Sequence, residues 1–250
     1  MSETDATVKS EIVDGRLKVH IDIKENPNHD QRGRFASGGG SGGSSARVSV
    51  KVSVDPETLG RLKRKADKEE IQQTAVEVEK SLAGVAERCQ KLTDQLPKSE
   101  MGIRLKGTPF WISKNGQGAT TGQYDKETGT AEVAGFGHPA TSDHLKGGQF
   151  SLSDAVSDIA THEFGHHLLE QMLAANGGKG VGEPGRLVNI WKVTPKSELR
   201  KLSQYAADHP AEMFCEGLLA YTHPSYGTKN GAKMPKALAK YFDDVIGKGK

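Results

Sequence analysis

The sequence predicts an α+β protein in which a small twisted antiparallel sheet packs against helices, after a long helix and a flexible N-terminal region. Residues 17–23 and 48–54 alternate apolar and polar side chains, which is the period of a half-buried strand. Residues 71–96 instead repeat apolar side chains at steps of four and three, as helices do. Aromatic and β-branched runs around Gly-rich turns at 108–136 predict the sheet, and residues 152–175 predict the helix that follows it.

The long helix is predicted to have a narrow apolar seam. Asp55 can cap a helix and Pro56 can open one directly after the second strand, whereas Pro97 ends the helical pattern. The seam residues are Ile71, Ala75, Val78, Leu82, Val85, Cys89, Leu92 and Leu96. This pattern favours packing within the chain, as a helical hairpin or against the main domain, with self-association as a coiled coil as the alternative.

Further helices are expected towards the C-terminus. The helix over 152–175 has a candidate cap at Ser151 or Ser153, and the breakers at 176–178 end it. Short helices are predicted at about 196–203, 209–221 and 234–247.

Composition limits the partners of this chain. The 34 Lys and Arg residues against 32 Asp and Glu leave a net charge of +2, so no basic field indicates a nucleic acid partner. Hydrophobic residues make up only 34%, and the Gly- and Ser-rich stretch 25–46 predicts a flexible linker. Cys89 and Cys215 leave no Cys-x-x-Cys pair and no disulfide framework, which favours a reducing compartment.

These patterns divide the chain into four regions. They are an N-terminal strand segment (1–24), the linker (25–46), a strand with the long helix (47–97) and the main domain (98–250). The N-terminus lacks the basic start and apolar stretch of a signal peptide, and no apolar run approaches the roughly 18 residues that span a bilayer. We therefore expect a cytoplasmic protein without a membrane partner.

The chemistry is concentrated in a His-Glu-x-x-His (HExxH) motif inside the helix over 152–175. His162 and His166 lie one turn and about 40° apart on a helix, so both imidazoles can reach one metal ion. Glu163 lies on the flank, where it can take a proton from a metal-activated water without binding the metal itself. His167 points about 100° away from His166, which predicts either no role or a contact with substrate.

A catalytic zinc site usually has three protein ligands, so one more ligand is expected downstream. Leu169 and Met172 stand where one class of zinc peptidases has the Gly and His that extend the motif. A carboxylate from a second helix is the better candidate. Glu212 and Glu216 lie one turn apart after Pro210 and share one helix face, so either can supply it.

Two motifs together resemble a known family. HEFGH at 162–166 is followed by Tyr205 and by Ala-Glu-x-Phe-x-Glu at 211–216. This combination is similar to the gluzincin metallopeptidases, and within them to the catalytic domain of anthrax lethal factor. The resemblance implies a zincin-like fold for the main domain and one Zn²⁺ ion per chain. It extends from the predicted sheet through residue 220 and does not include the long helix or the N-terminal tail.

The resemblance also implies a role for each matching residue. It implies that Glu212 binds the zinc with His162 and His166, and that Glu216 supports a histidine ligand. Tyr205 then faces the oxygen that the zinc activates.

The N-terminal tail carries a second resemblance. Residues 28–40, NHDQRGRFASGGG, are similar to a segment common in head-morphogenesis and capsid-associated proteins of tailed bacteriophages. This implies a phage-encoded protein, with three settings open: a virion component, an assembly protease, or an effector delivered into a host cell. Contact of the helix over 71–96 with a phage particle is then a further alternative.

The chemistry of these residues predicts a zinc-dependent endopeptidase that acts on protein or peptide substrates. Zinc held by two neutral imidazoles and one carboxylate keeps a positive charge and lowers the pKa of water towards about 7. Glu163 serves as general base, and Tyr205 stabilises the oxyanion. Glu216 and Asp158 are the candidate acceptors for the imidazole N–H groups. A phage head scaffold protein with an inactive metal site and a cell-wall peptide hydrolase are the alternatives.

The substrate is expected to bind as an added strand at a sheet edge. Residues 131–137, AEVAGFG, are a strand candidate with small side chains just before the metal-binding helix. Unpaired amides and carbonyls there could pair with an extended peptide.

Overall fold

The computed structural model describes most of the chain after residue 46. The fully described ranges are 47–107, 122–135, 155–175, 181–223 and 233–247, and the backbone of four further strands is described as well. The predicted linker 25–46, with its phage-like segment, lies outside the described residues. So do the candidate caps Ser151 and Ser153 and the breakers at 176–178.

Strands and helices alternate along the chain. The strands are β1 (Ala6–Val13), β2 (Arg16–Ile23), β3 (Val48–Val54), β4 (Ser99–Lys106), β5 (Trp111–Ile112), β6 (Ala119–Thr120), β7 (Gly122–Asp125) and β8 (Thr130–Ala134). The helices are α1 (Pro56–Arg61), α2 (Lys65–Arg88), α3 (Gln90–Thr93), α4 (Val156–Ala174), α5 (Pro184–Val193), α6 (Lys196–Leu199), α7 (Gln204–Asp208), α8 (Pro210–Thr222) and α9 (Lys236–Val245).

The central sheet has four strands in the order β3-β4-β8-β7. β3, β4 and β8 run parallel, and β7 runs antiparallel to β8. The α+β class is confirmed. Within 108–136, where an antiparallel sheet was predicted, β7–β8 and β5–β6 are antiparallel pairs. The four-stranded sheet as a whole is mixed, because the helical connection α1–α3 brings the chain back so that it enters β4 in the direction of β3. β1 with β2 and β5 with β6 form separate antiparallel pairs.

Region 47–97 shares its sheet and core with the residues that follow it. β3 pairs with β4 along its whole length, and α2 packs against β3 and α4. All eight residues of the apolar seam are at most 7% exposed, so the prediction that this helix packs within the chain is confirmed. Cys89 is fully buried, and burial raises the pKa of its thiol to about 12. It therefore serves as a small hydrophobic residue.

The helix that carries the HExxH motif is confirmed as α4, but it begins at Val156 with Ala155 at its N-cap, so the predicted start at 152 with a serine cap is wrong. Most of its residues are buried because it contacts α8 on one side and α2, β7 and β8 on others. The short helices predicted downstream correspond to α6, α8 and α9, whereas α5 and α7 were not predicted. Among the described helices, none combines the length and the apolar composition that crossing a membrane requires.

Candidate metal centre

Close packing of α4 against α8 brings the candidate ligands together. A Cβ built on Gly165 of α4 would lie 3.0 Å from both Cα and Sγ of Cys215 on α8. Glycine at this position therefore lets the two backbones approach more closely than a larger residue would allow. The approach places the histidines of α4 opposite Glu212 and Glu216 of α8.

His162 lies between these two carboxylates. Its Nδ1 lies 2.9 Å from Glu216 Oε1, and its Nε2 lies 3.0 Å from Glu212 Oε2, both at hydrogen-bond distance. His166 Nε2 lies 3.5 Å from the other oxygen of Glu212. Both sequence-predicted carboxylates thus reach the histidines, and Glu216 occupies the place expected of a residue that orients His162.

The charges of this cluster stabilise one another. Burial opposes protonation of His162, but the hydrogen bonds to Glu212 and Glu216 outweigh it and raise its pKa to about 10. Burial likewise disfavours ionisation of Glu212, yet hydrogen bonds from His162 and His166 bring its pKa well below the usual range. Because a metal ion binds only the neutral form of an imidazole, a proton and a metal ion would compete for His162.

The donor atoms fit a transition metal ion. Ligand atoms of His162, His166 and Cys215 all lie within 4.8 Å of one another, so these three residues are close enough to bind one ion. The sequence analysis did not consider Cys215 as a candidate ligand. Its position one turn from Glu212 on the same helix is a signal that could have suggested it.

Glu212 and Cys215 therefore compete for the third ligand position. Complete burial and the neighbouring carboxylates raise the pKa of the Cys215 thiol well above its ordinary value, which disfavours the thiolate that binds metals. Glu212 is ionised and already in contact with both histidines, so we favour it.

Glu163 is held against the edge strand of the sheet. Its side chain is buried, and its carboxylate lies against the backbone of β7 at Gly122. Burial raises the pKa of Glu163, although the nearby histidines act in the opposite direction. A Cβ on Gly122 would collide with Glu163 Oε1 and with Ile159 Cγ2, so this site requires glycine at the start of β7.

Tyr205 on α7 lies beside the cluster. Its ring centroid is 6.1 Å from that of His162, and the side chain is half-buried. Burial and the carboxylates of Glu212 and Glu163 raise the pKa of the phenol, so it keeps its proton at neutral pH and can donate a hydrogen bond. Ser203 caps the short α7 by accepting from the Ala206 N–H over 3.0 Å, which fixes the start of the helix that carries this tyrosine.

A cavity of about 560 Å³ opens onto these residues. His162, His166, Glu163, Glu212 and Tyr205 line its floor, and side chains of α4 and α5 add an apolar wall. The apolar wall consists of Leu169, Leu173, Pro184, Leu187 and Val188.

The strand that borders the cavity is β7 rather than the predicted segment 131–137. β8 pairs with β4 on one side and β7 on the other, so its backbone has no free edge, and residues 136–137 lie outside the described residues. The prediction of a substrate edge at 131–137 is therefore wrong for its described part. Gly122, Gln123 and Tyr124 of β7 contact the cavity instead.

Two remaining candidates lie on other parts of α4. Asp158 is buried one turn before His162, and its contact with an imidazole stays a prediction. His167 is buried too, and it contacts Ser99 and Tyr124 rather than facing the cavity wall as a substrate group.

No protein-family model, curated protein or solved structure matches this chain. The HExxH motif and the convergence of the histidines with Glu212 and Cys215 are therefore the features that indicate a metal centre.

Proposed function

We propose that this protein is a zinc-dependent endopeptidase of the gluzincin type, with His162, His166 and Glu212 as the zinc ligands. One observation carries the proposal: the two histidines and Glu212 converge on one point, with the buried Glu163 beside them, at the floor of an open cavity. Two neutral imidazoles, one carboxylate and a position left for water form the ligand set typical of catalytic zinc.

The residues around the ligands divide the chemical work. Zinc, when bound, polarises a scissile carbonyl and lowers the pKa of water towards about 7. Glu163 accepts a proton from the attacking water as the new C–O bond forms, and it delivers that proton to the leaving amine as the C–N bond breaks. Tyr205 donates a hydrogen bond to the developing oxyanion, and Glu216 holds His162 in the orientation that metal binding needs.

The edge of β7 supplies a place for an extended substrate. Within the described part of the chain, β7 is the last strand of the sheet and pairs with β8 alone, so alternate backbone groups along it face away from β8. These outward groups border the cavity, which Gly122, Gln123 and Tyr124 line. A peptide that pairs with them would lie across the metal centre, as an internal stretch of a protein chain can.

The proposal is tested with a peptide library incubated with zinc-loaded protein and read by mass spectrometry. We expect wild type to produce new termini and a chelator to stop the cleavage. Glu163→Gln should lower the rate by about 10²–10⁴-fold, the usual contribution of a general base, while zinc content and thermal stability stay unchanged. Cleavage by Glu163→Gln at the wild-type rate, or none by wild type, would instead indicate a structural metal site, as in a scaffold protein.

A further inference from the structure

His167 joins three elements at one buried point. It follows His166 directly on α4 and is only 2% exposed. Its Nε2 lies 3.1 Å from Ser99 Oγ at the start of β4, and its Nδ1 lies 3.0 Å from the phenol oxygen of Tyr124 on β7. The rings of His167 and Tyr124 also pack edge to face, with centroids 5.8 Å apart.

Both ring nitrogens of His167 are therefore used. A neutral imidazole has one N–H donor and one acceptor nitrogen, and the two hydroxyls can each complement one of them. An apolar residue of similar size would fill the space but would leave two buried or half-buried hydroxyls without this partner.

Tyr124 connects His167 to the strand that contacts the candidate base. Its phenol contacts His167, and Gly122, two residues earlier on β7, lies so close to Glu163 that a Cβ there would collide with Oε1. Since His167 and Glu163 are one turn apart on α4, β7 meets this helix at two points. These two contacts determine where the Glu163 carboxylate lies relative to the edge of β7.

We propose that His167 is a positioning residue that acts through Tyr124 to hold β7 and Glu163 in the arrangement needed for peptide hydrolysis. The proposal rests on the peptidase function proposed above. His167, which directly follows the candidate ligand His166, thus has a positioning role and does not bind the metal. Ser99 hydrogen-bonds the other nitrogen of the same imidazole and belongs to β4 rather than β7, so it provides a matched control.

The experiment compares Tyr124→Phe, His167→Phe and Ser99→Ala with wild type, all zinc-loaded and checked for equal zinc content and thermal stability. Hydrogen exchange of the β7 amides, followed by NMR, reports how firmly the strand is held against α4 without any need for activity. We expect exchange about tenfold faster in Tyr124→Phe and His167→Phe, and a kcat about tenfold lower with KM changed less than about threefold. Ser99→Ala should stay within about twofold of wild type in both measurements.

Tyr124→Phe keeps the experiment decisive if His167→Phe does not fold. Unchanged amide exchange in Tyr124→Phe, or an equal effect in Ser99→Ala, would overturn the positioning role. If wild type cleaves no peptide but the exchange pattern is as expected, the peptidase proposal fails while the mechanical link from His167 to Glu163 stands.

Discussion

His162 lies between two carboxylates, and this position makes a proton and a metal ion compete for one of its nitrogen atoms. Glu216 is fully buried and bonds Nδ1, which leaves Nε2 directed at Glu212 and the cavity. The same Nε2 can carry a proton or bind a metal ion, but not both. Metal affinity and proton affinity are therefore coupled at this residue.

Zinc binding should consequently depend on pH. The pKa of His162 is raised from 6.5 to about 10, so at any pH below about 10 zinc must displace a proton from it. We expect zinc affinity to rise about tenfold per pH unit from pH 7 to 9, and calorimetry in two buffers to detect release of about one proton. The proton stabilises the metal-free fold fully below pH 6.5, and this stabilisation is lost as pH rises through about 10. A flat affinity profile would contradict a protonated His162.

Substitution of single ligands distinguishes Glu212 from Cys215. Glu212→Ala should lower zinc affinity by more than about 100-fold, and Glu216→Ala by about 10–100-fold because it removes the partner of a ligand. Cys215→Ala should retain the affinity within a few-fold, since its buried thiol resists ionisation. Competition with a chromophoric chelator measures all three, and loss of zinc in Cys215→Ala would make sulfur the third ligand.

At the scale of elements, β7 packs against α4 and lines the cavity beside Glu163. Gly122 is in contact with the Glu163 carboxylate and with Ile159, where no side chain fits. The short strand therefore contacts the candidate base and also borders the cavity.

A methyl group on Gly122 should interfere with both roles. We expect Gly122→Ala to lower kcat/KM at least about 100-fold because Glu163 or β7 must move, with zinc retained. Gly84→Ala in α2 is the matched control, since a Cβ there meets nothing within 4 Å. That control should keep full activity and gain about 0.5–1 kcal/mol of unfolding free energy in urea titrations. Equal activity of both variants would show that β7 is not part of the site.

At the scale of the whole molecule, α2 packs against both the sheet and α4. One of its own carboxylates, that of Glu79, is buried there. Glu79 is 5% exposed among the buried residues of α2, and burial raises its pKa from 4.5 to about 7. The folded protein therefore keeps a proton on Glu79 that the unfolded chain releases, and stability falls as pH rises from about 4.5 to about 7.

Glu79→Gln should remove this part of the pH dependence. The unfolding free energy of the variant minus that of wild type should be about 1–3 kcal/mol larger at pH 7.5 than at pH 4.5. Glu87→Gln, an exposed position on the same helix, should change by less than about 0.5 kcal/mol. Urea denaturation at the two pH values measures both, and identical behaviour of the two variants would mean that water reaches Glu79 in the folded state.

The sequence alone predicted the parts of the site that depend on local geometry. His162 and His166 share a face because an α-helix places residues four apart one turn above each other. For the same reason, the apolar seam of α2 was recognisable before any fold was known. Glu212 and Glu216 were also found, since they share a face of α8 at the same spacing.

Only the tertiary structure decided which elements meet. The order β3-β4-β8-β7 depends on strand pairing between distant residues, and a short strand such as β7 carries too few residues for its pattern to be distinctive. In the described part of the chain, that order leaves β8 paired on both sides and puts β7 at the edge, where Gly122 contacts Glu163 and Tyr124 contacts His167. The proximity of Cys215 to the histidines likewise arises from the close contact at Gly165, which no local pattern in either helix predicts.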